Sequence, residues 1–348
     1  MISQQRRIFG DDHAAFRDSV KRFIASEVQP NLDAWRSADK TPRSVVAAAG
    51  EAGFLGTAVP EEFGGGGVDD FGFLVVLIEE TIAAGATGLA LLWALQAGVA
   101  IPFLLEHATE AEKKQWLPGL SAGELIAVPA PATLSGVAAG QIADALLAQN
   151  DSGGVALIPL DQPGVTLTPI RQNLAGRDAG LADVTLSGVD AQTDLASPTE
   201  LHRDLDLWFA VLALASARTA MASAVDYVHA RKVFGRQLAE FENTRFRLAE
   251  LWAVLASLTA FVDSCVQARS IGELDVADAA AARLIASRVC GQAVDQSLQL
   301  HGGYGYMREY PISHAFADAR FLQVMASAYS DPRETLASTV ALDAVSQQ

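Results

Sequence analysis

Two motifs in the last third of the chain carry residue types that bind anions and flat rings. Residues 227–238 read YVHARKVFGRQL and combine Arg231 with Phe234 at the end of a predicted helix. An arginine can hold an anionic group there, and an aromatic ring can pack against a flat ligand. Residues 299–311 read QLHGGYGYMREYP, and their glycines let the backbone approach a ligand closely. Taken alone, each motif also fits an ordinary helix end with surface cations.

The spacing of apolar residues predicts helices in the first and last parts of the chain. Phe16, Val20 and Phe23 recur at helical intervals after an acidic start, and Leu248 and Trp252 do so near the other end. A chain of 348 residues is also too long for one typical core, and its composition favours packed helices. We therefore predict a helical domain at 1–126 and a helical bundle at 199–348.

Between these helical parts, residues 127–198 have the character of β-strands. Val155 and Leu157 precede the DQPG turn at 161–164, and Val165 and Leu167 follow it, with small or polar residues between them. About seventy residues can form only a small sheet. The sequence therefore predicts a small β domain of a few antiparallel strands.

The charge of the chain excludes some classes of partner. The 41 acidic residues outnumber 25 basic ones and give a formal net charge of -16, which disfavours binding to nucleic acid or to an anionic membrane. The segment from Thr81 to Leu105 has no charged residue and is long enough to span a bilayer. Because glycines and a proline interrupt it and glutamates flank it, we predict buried helices and no membrane span.

The two cysteines point to a reducing environment. Cys265 and Cys290 lie in apolar helical stretches without the spacing of metal ligands, so we predict buried thiols and no metal site. The first residues, MISQQRRIFG, contain no apolar signal region. Together these features predict a cytoplasmic location.

Further segments give the chain a family resemblance. Residues 59–67 (VPEEFGGGG) are similar to a VPEE(Y/F)GG loop, residues 114–124 (KQWLPGLSAGE) to a K-x-x-W/Y-L-P-x-L-x-x-G-E segment, and residues 318–320 to a DAR element. Together with the two motifs near the C-terminus, and in this order, they resemble the acyl-CoA dehydrogenase family over nearly the whole chain.

The resemblance implies a mainly helical fold and an FAD cofactor. The fold would comprise an N-terminal helical domain, a middle β domain and a C-terminal four-helix bundle, assembled as tetramers or dimers with FAD across a subunit interface. By position, Arg231 and Phe234 would contact FAD from one subunit. Gln299, Gly302 and Gly303 would reach its adenosine and pyrophosphate from another. An acyl-CoA substrate and an electron-accepting flavoprotein are also implied.

The catalytic carboxylate of the family is missing from both of its known positions. The family base removes the α-proton of the acyl group while the flavin accepts the β-hydrogen as hydride. Most members carry this glutamate in a Y-E-G-T segment after DAR, and the corresponding residue of this chain is Ala326. Other members carry it in an E-R pair before the Arg231 motif. There this chain has Leu205 in place of the glutamate and Asp206 in place of the arginine. We therefore predict no catalytic residue here, with Asp204 or Asp206 as the alternative base.

The middle domain departs from the family as well. The family carries a T-E-P-x-x-G-S-D stretch that holds the flavin ring, whereas here residues 127–136 read AVPAPATLSG. The first half of the β domain is therefore predicted to be deleted, and the ring pocket of this subunit to be incomplete.

Three hypotheses follow from these losses. The favoured one is a short, base-less subunit that completes the FAD site of a competent partner in a homo- or hetero-oligomer. It would resemble subunits of bacterial heteromeric acyl-CoA dehydrogenases, which belong to fatty acid or steroid side-chain β-oxidation in lipid metabolism. The alternatives are a self-sufficient dehydrogenase with an unusual base and a cofactor-free scaffold.

Overall fold

The computed structural model describes residues 6–150, 153–189, 192–196 and 198–346, and within them the chain is mainly helical, as predicted. The helices are α1 (Asp11–Phe23), α2 (Leu32–Ala38), α3 (Arg43–Glu51), α4 (Gly72–Ala83), α5 (Thr87–Leu95), α6 (Ile101–His107), α7 (Glu110–Ser121), α8 (Pro198–Ala230), α9 (Glu242–Ser270), α10 (Val276–Leu300), α11 (Pro311–Tyr329) and α12 (Pro332–Ser346). The strands are β1 (Ala127–Pro129), β2 (Ala145–Gln149), β3 (Val155–Pro159), β4 (Val165–Pro169), β5 (Ala182–Leu186), β6 (Gln192–Ala196), β7 (Lys232–Val233) and β8 (Arg236–Gln237).

The uncharged segment near residue 90 forms a buried helical element, as predicted. Helices α5 and α6 are joined by a π-helical turn at Gln96–Ala100 into one stretch, Thr87–His107, whose most apolar window is 94% buried. Against it packs Trp208 of α8, whose indole N–H donates to the carbonyl of Gly98 over 2.6 Å. By length and composition, α5–α6, α8 and α9 are each apolar enough to cross a membrane, so the absence of a span stays a prediction.

The strands form two small sheets in the middle of the chain and a short hairpin later. The larger sheet has the order β1-β2-β3-β6, and β4 pairs with β5. The prediction of purely antiparallel strands was wrong for β1, which runs parallel to β2. Parallel neighbours need a crossover connection, and residues 130–144 supply it. The turn at 161–164 joins strands of different sheets, because alternation along a strand does not identify its partner.

The last part of the chain is a bundle in which α8 and α10 run parallel. Asp206 contacts Arg283 near the beginning of both helices, and Tyr227 stacks on His301 near their ends. The antiparallel α9 returns the chain between them. Small side chains line the packed faces of both helices, among them the buried Ala217, Ala220, Ala224, Ala279, Ala286 and Ala293. Because α8 and α10 run parallel, they end at the same side of the bundle.

One hydrophobic core runs through the helical parts and the sheet. It includes Val20 of α1, Val128 of β1 and Tyr329 of α11. Cys265 and Cys290 are buried and free, as predicted. The change from helix to strand lies between Ser121 and Ala127, and α8 begins at Pro198. The division into three domains at 126 and 198 stays a prediction, since the core does not stop at either position.

Candidate functional site

The two predicted binding motifs lie side by side on one chain. Arg231 follows the end of α8, and the glycine turn at 302–306 follows the end of α10. The Arg231 guanidinium lies over the ring of Tyr304, 5.2 Å from its centroid. We call the surface formed by Arg231, Phe234, Gln299, Gly302, Gly303 and Tyr304 the cofactor face. The family resemblance had assigned the two motifs to different subunits, but the parallel course of α8 and α10 brings both to the same end of one subunit.

Phe234 projects from the cofactor face because of the hairpin that carries it. Strands β7 and β8 are joined through Phe234 and Gly235, whose φ angles are 51° and 78°. Two consecutive positive φ values are typical of a type I′ turn, and they are uncommon for a phenylalanine. The Phe234 side chain is 93% exposed. An aromatic ring so exposed is available to pack against a ligand or a partner.

The glycine turn leaves its backbone open at two positions. A Cβ atom added to Gly302 or Gly303 would meet nothing within 4 Å, whereas one added to Gly305 would lie 2.6 Å from the Leu298 carbonyl oxygen. Gly305 therefore serves packing. Gly302 and Gly303 instead expose peptide groups that an anionic ligand can approach.

The two predicted positions of a catalytic base meet at one buried junction. Ala326 lies in α11, and Leu205 and Asp206 lie in α8. Between the helices stands Arg283 of α10, whose Nη1 lies 2.5 Å from Oδ1 of Asp206 and whose Nη2 donates to the carbonyl of Ala326 over 2.5 Å. We call this group, with Ser330, the Asp206–Arg283 junction. Leu205 is packed in the core and only 1% exposed.

The Asp206–Arg283 junction is saturated with internal bonds. Arg283 also donates to the hydroxyl of Ser330 and to its carbonyl, each over 2.7 Å, and its guanidinium lies over the ring of Phe209. Burial raises the pKa of Asp206, although the neighbouring guanidinium acts in the opposite direction. Asp206 is thus a structural ion-pair partner rather than an unpaired carboxylate that faces a cavity.

Asp204, the other alternative base, is engaged in a second buried network. Its two carboxylate oxygens accept from Arg269 over 2.8 and 2.9 Å, and Arg269 also donates to Glu106. Arg203 donates to Asp204 as well, over 2.9 Å. Both acidic alternatives therefore hold helices together.

Residues 127–136, where the family resemblance places the segment that holds the flavin ring, bind other parts of the chain instead. The Tyr329 hydroxyl donates to the carbonyl of Pro129 at the end of β1, and Tyr329 is buried against Phe209. Further along, the Ser135 hydroxyl donates to Asp183 over 2.6 Å. Polar groups of this segment thus already have protein partners, and α11 packs on the strand end.

The family resemblance pointed to Ala326 and Leu205 as base positions, but sequence reasoning missed Arg283. A signal was present, since Arg283 interrupts an alanine-rich run of α10 that reads AAAARLIA. An arginine that is buried in an apolar helical run is tolerated where an acid pairs with it. Asp206 is that acid, one of the two residues that had been considered as a base.

Comparisons with known proteins agree with this architecture. The sequence profile of the acyl-CoA dehydrogenase N-terminal domain matches residues 10–124, and that of the C-terminal domain matches residues 207–326. The mitochondrial long-chain specific acyl-CoA dehydrogenase of Rattus norvegicus is 27% identical over 97% of this chain and 88% of its own length. The strand-bearing residues 125–206 lie between the two profile matches.

Solved structures share the fold. An acyl-CoA dehydrogenase from Geobacillus kaustophilus superposes with a TM-score of 0.88 at 24% identity, covering 96% of this chain and 99% of its own. A glutaryl-CoA dehydrogenase from Mycobacterium smegmatis, solved in complex with FADH2, gives a TM-score of 0.86 at 18% identity over 97% and 96% of the two chains.

Proposed function

The chain belongs to the acyl-CoA dehydrogenase family, and from this membership we propose that it acts as a subunit without a catalytic base of its own. A partner from the same family, which has the catalytic base, holds the isoalloxazine ring of FAD. The cofactor face of this chain contacts the other end of the same FAD molecule. The assembly would oxidise an acyl-CoA thioester at its α,β-carbons and pass electrons to an accepting flavoprotein. We propose a cytoplasmic hetero-oligomer with this partner, without a membrane span.

The residues of this chain fit one half of FAD and not the other. The cofactor face offers the Arg231 cation, the exposed ring of Phe234 and the open backbone of Gly302 and Gly303. These groups suit a pyrophosphate and an adenosine. The segment after β1 does not fit the isoalloxazine ring, because Tyr329 and Ser135 already use its polar groups. When bound, FAD supplies the hydride acceptor of the dehydrogenation.

The Asp206–Arg283 junction is the observation that carries this proposal. The base of this family is a carboxylate, and it must lie within reach of the proton that it removes. Here the two base positions are Ala326 and Leu205, and the nearest acid is neutralised by an arginine that also binds the Ala326 carbonyl. This arrangement argues against a self-sufficient enzyme. The open cofactor face argues against a scaffold without cofactor.

Flavin content separates the hypotheses. We expect this chain, purified alone, to contain little FAD and not to oxidise acyl-CoA, and to contain FAD after co-expression with a full-length family member that has a glutamate base. Arg231→Ala should lower the flavin-to-chain ratio of the assembly, measured by absorbance. Arg320→Ala is the matched control, since Arg320 is an exposed arginine that contacts Gln323 of its own helix.

Each alternative predicts a different result. A yellow, active preparation of this chain alone would establish the self-sufficient enzyme. A colourless assembly, or one in which Arg231→Ala leaves the flavin ratio unchanged, would favour the scaffold. Failure to associate with any base-bearing homologue would contradict the proposed subunit role.

A further inference from the structure

A cleft with charged residues in its wall lies on the side of α11 that faces α2. Its larger part has a volume of 650 Å³ and is lined by Arg36 of α2, the 172–177 loop between β4 and β5, and Arg308 and His314 around the start of α11. A second part of 330 Å³ shares Arg36, Arg308 and His314 and extends towards α8. Together they have the size of a site for a small molecule. We call this space the arginine cleft.

Three arginines from three separate elements line the cleft. Arg36 Nη2 donates to the carbonyl of Gly85 over 2.7 Å, and its nearest acid, Asp33, lies 3.8 Å away with a fully exposed side chain. Arg177 uses its Nε to reach Asp39, 3.0 Å away. In the ranges that the structure describes, the side chain of Arg308 has no hydrogen bond or ion pair. Much of the hydrogen-bonding capacity of these guanidinium groups therefore remains for a ligand.

Asp318, an acidic residue that lines both parts of the cleft, already accepts hydrogen bonds from the protein. Asp318 accepts from the backbone N–H of Gly176 over 2.9 Å and from the hydroxyl of Thr87 over 3.2 Å. Burial raises its pKa, although its hydrogen bonds and the nearby charge of Arg36 act in the opposite direction. Glu309 lines the smaller part. His314 donates from Nε2 to the Arg308 carbonyl over 2.9 Å, which holds the Arg308 backbone beside the cleft.

This grouping of cations contrasts with the rest of the molecule. The whole chain carries a formal charge of -16. The larger part of the cleft is instead lined by three arginines and one aspartate, so its local charge is positive. A concave wall of one charge concentrates ions of the opposite charge. Guanidinium groups match phosphate oxygens in pairs, so several of them suit a ligand with more than one phosphate.

We propose that the arginine cleft binds a diphosphate, either free or as part of a nucleoside diphosphate. It is a second anion site, distinct from the cofactor face, because it shares no residue with that face. The proposal does not depend on the role of this chain as a subunit of a dehydrogenase.

Calorimetric titration of the assembled protein with inorganic diphosphate, and separately with ADP, tests this site. We expect saturable binding of one ligand per chain and a dissociation constant that rises about tenfold or more in Arg308→Gln. Arg320→Gln, at an exposed position of α11, is the matched control and should bind as the parent does. Because Arg308 makes no internal side-chain bond within the described residues, the variant should keep its melting temperature.

The two probes and one further variant settle where the ligand binds. Binding of inorganic diphosphate and ADP with similar affinity would identify the diphosphate as the recognised group, and tighter binding of ADP would identify a nucleotide; both support the proposal. Binding that survives in Arg231→Ala locates the ligand away from the cofactor face. No saturable binding, loss of binding in Arg231→Ala alone, or equal affinity of Arg308→Gln and Arg320→Gln would overturn the proposal.

Discussion

Arg283 connects α8, α10 and α11 through buried charge, at the two positions where the family resemblance places a catalytic base. It pairs with Asp206 of α8 and donates to Ala326 and Ser330, at the end of α11. The side chains of Arg283 and Asp206 are 5% and 3% exposed. A charge in such a place is tolerated only with its partner. The two positions predicted for a base are therefore bound into a structural network by Arg283.

Removal of Arg283 alone should destabilise the protein strongly. We expect Arg283→Met to lower the free energy of unfolding by about 3–5 kcal/mol, because it leaves Asp206 buried without a counter-charge. The double variant Arg283→Met/Asp206→Leu should recover most of that loss. Urea unfolding followed by circular dichroism measures both. Arg236→Met, which removes an exposed pair with Glu240, is the control and should have little effect.

A double variant no more stable than Arg283→Met would show that the bonds to Ala326 and Ser330, rather than the ion pair, hold the junction. At the residue scale, the prediction that a base would fall at Ala326 or Leu205 came from short motifs. These motifs were insufficient to predict Arg283, because the partner of Asp206 is 77 residues away along the chain.

At the scale of elements, most helices could be predicted and the sheet could not be predicted in full. Helical periodicity is a local property, so α1, α3 and α9 follow from the spacing of their own apolar residues. Strand direction and partner depend on distant segments, which is why the parallel pairing of β1 with β2 was missed. The adjacency of the two binding motifs likewise depends on how α8 and α10 pack, not on either motif.

The contact between α8 and the α5–α6 element can be tested at Gly98. A Cβ atom at this position would lie 2.5 Å from Nε1 of Trp208. We expect Gly98→Ala to destabilise the protein by about 1–3 kcal/mol, even though alanine favours helix more than glycine. Thermal unfolding measures the change. Gly10→Ala, where an added Cβ meets nothing within 4 Å, is the control; an unchanged melting temperature in Gly98→Ala would contradict the close packing.

At the scale of the whole molecule, the shared core predicts cooperative unfolding. Apolar residues from the first helices, the sheet and the bundle belong to one cluster. We expect calorimetry to show one transition for this chain, coincident with the change in tryptophan fluorescence from the buried Trp93 and Trp208. A separate, earlier transition of the strand-bearing part would contradict a single core. The sequence alone could not predict a shared core. The changes in composition near residues 126 and 198 do not show whether the hydrophobic core continues across them.

The parallel course of α8 and α10 has an electrostatic consequence for the cofactor face. Each helix carries the equivalent of about half a negative charge at its C-terminus, and both termini lie at this face. A phosphate there meets two repulsive helix dipoles, the reverse of the usual arrangement in which phosphate binds at a helix N-terminus. The charges of Arg231 and the adjacent Lys232 must outweigh both dipoles before this face attracts an anion. If the face holds FAD as proposed, its retention should weaken steeply with added salt, because salt screens these two charges.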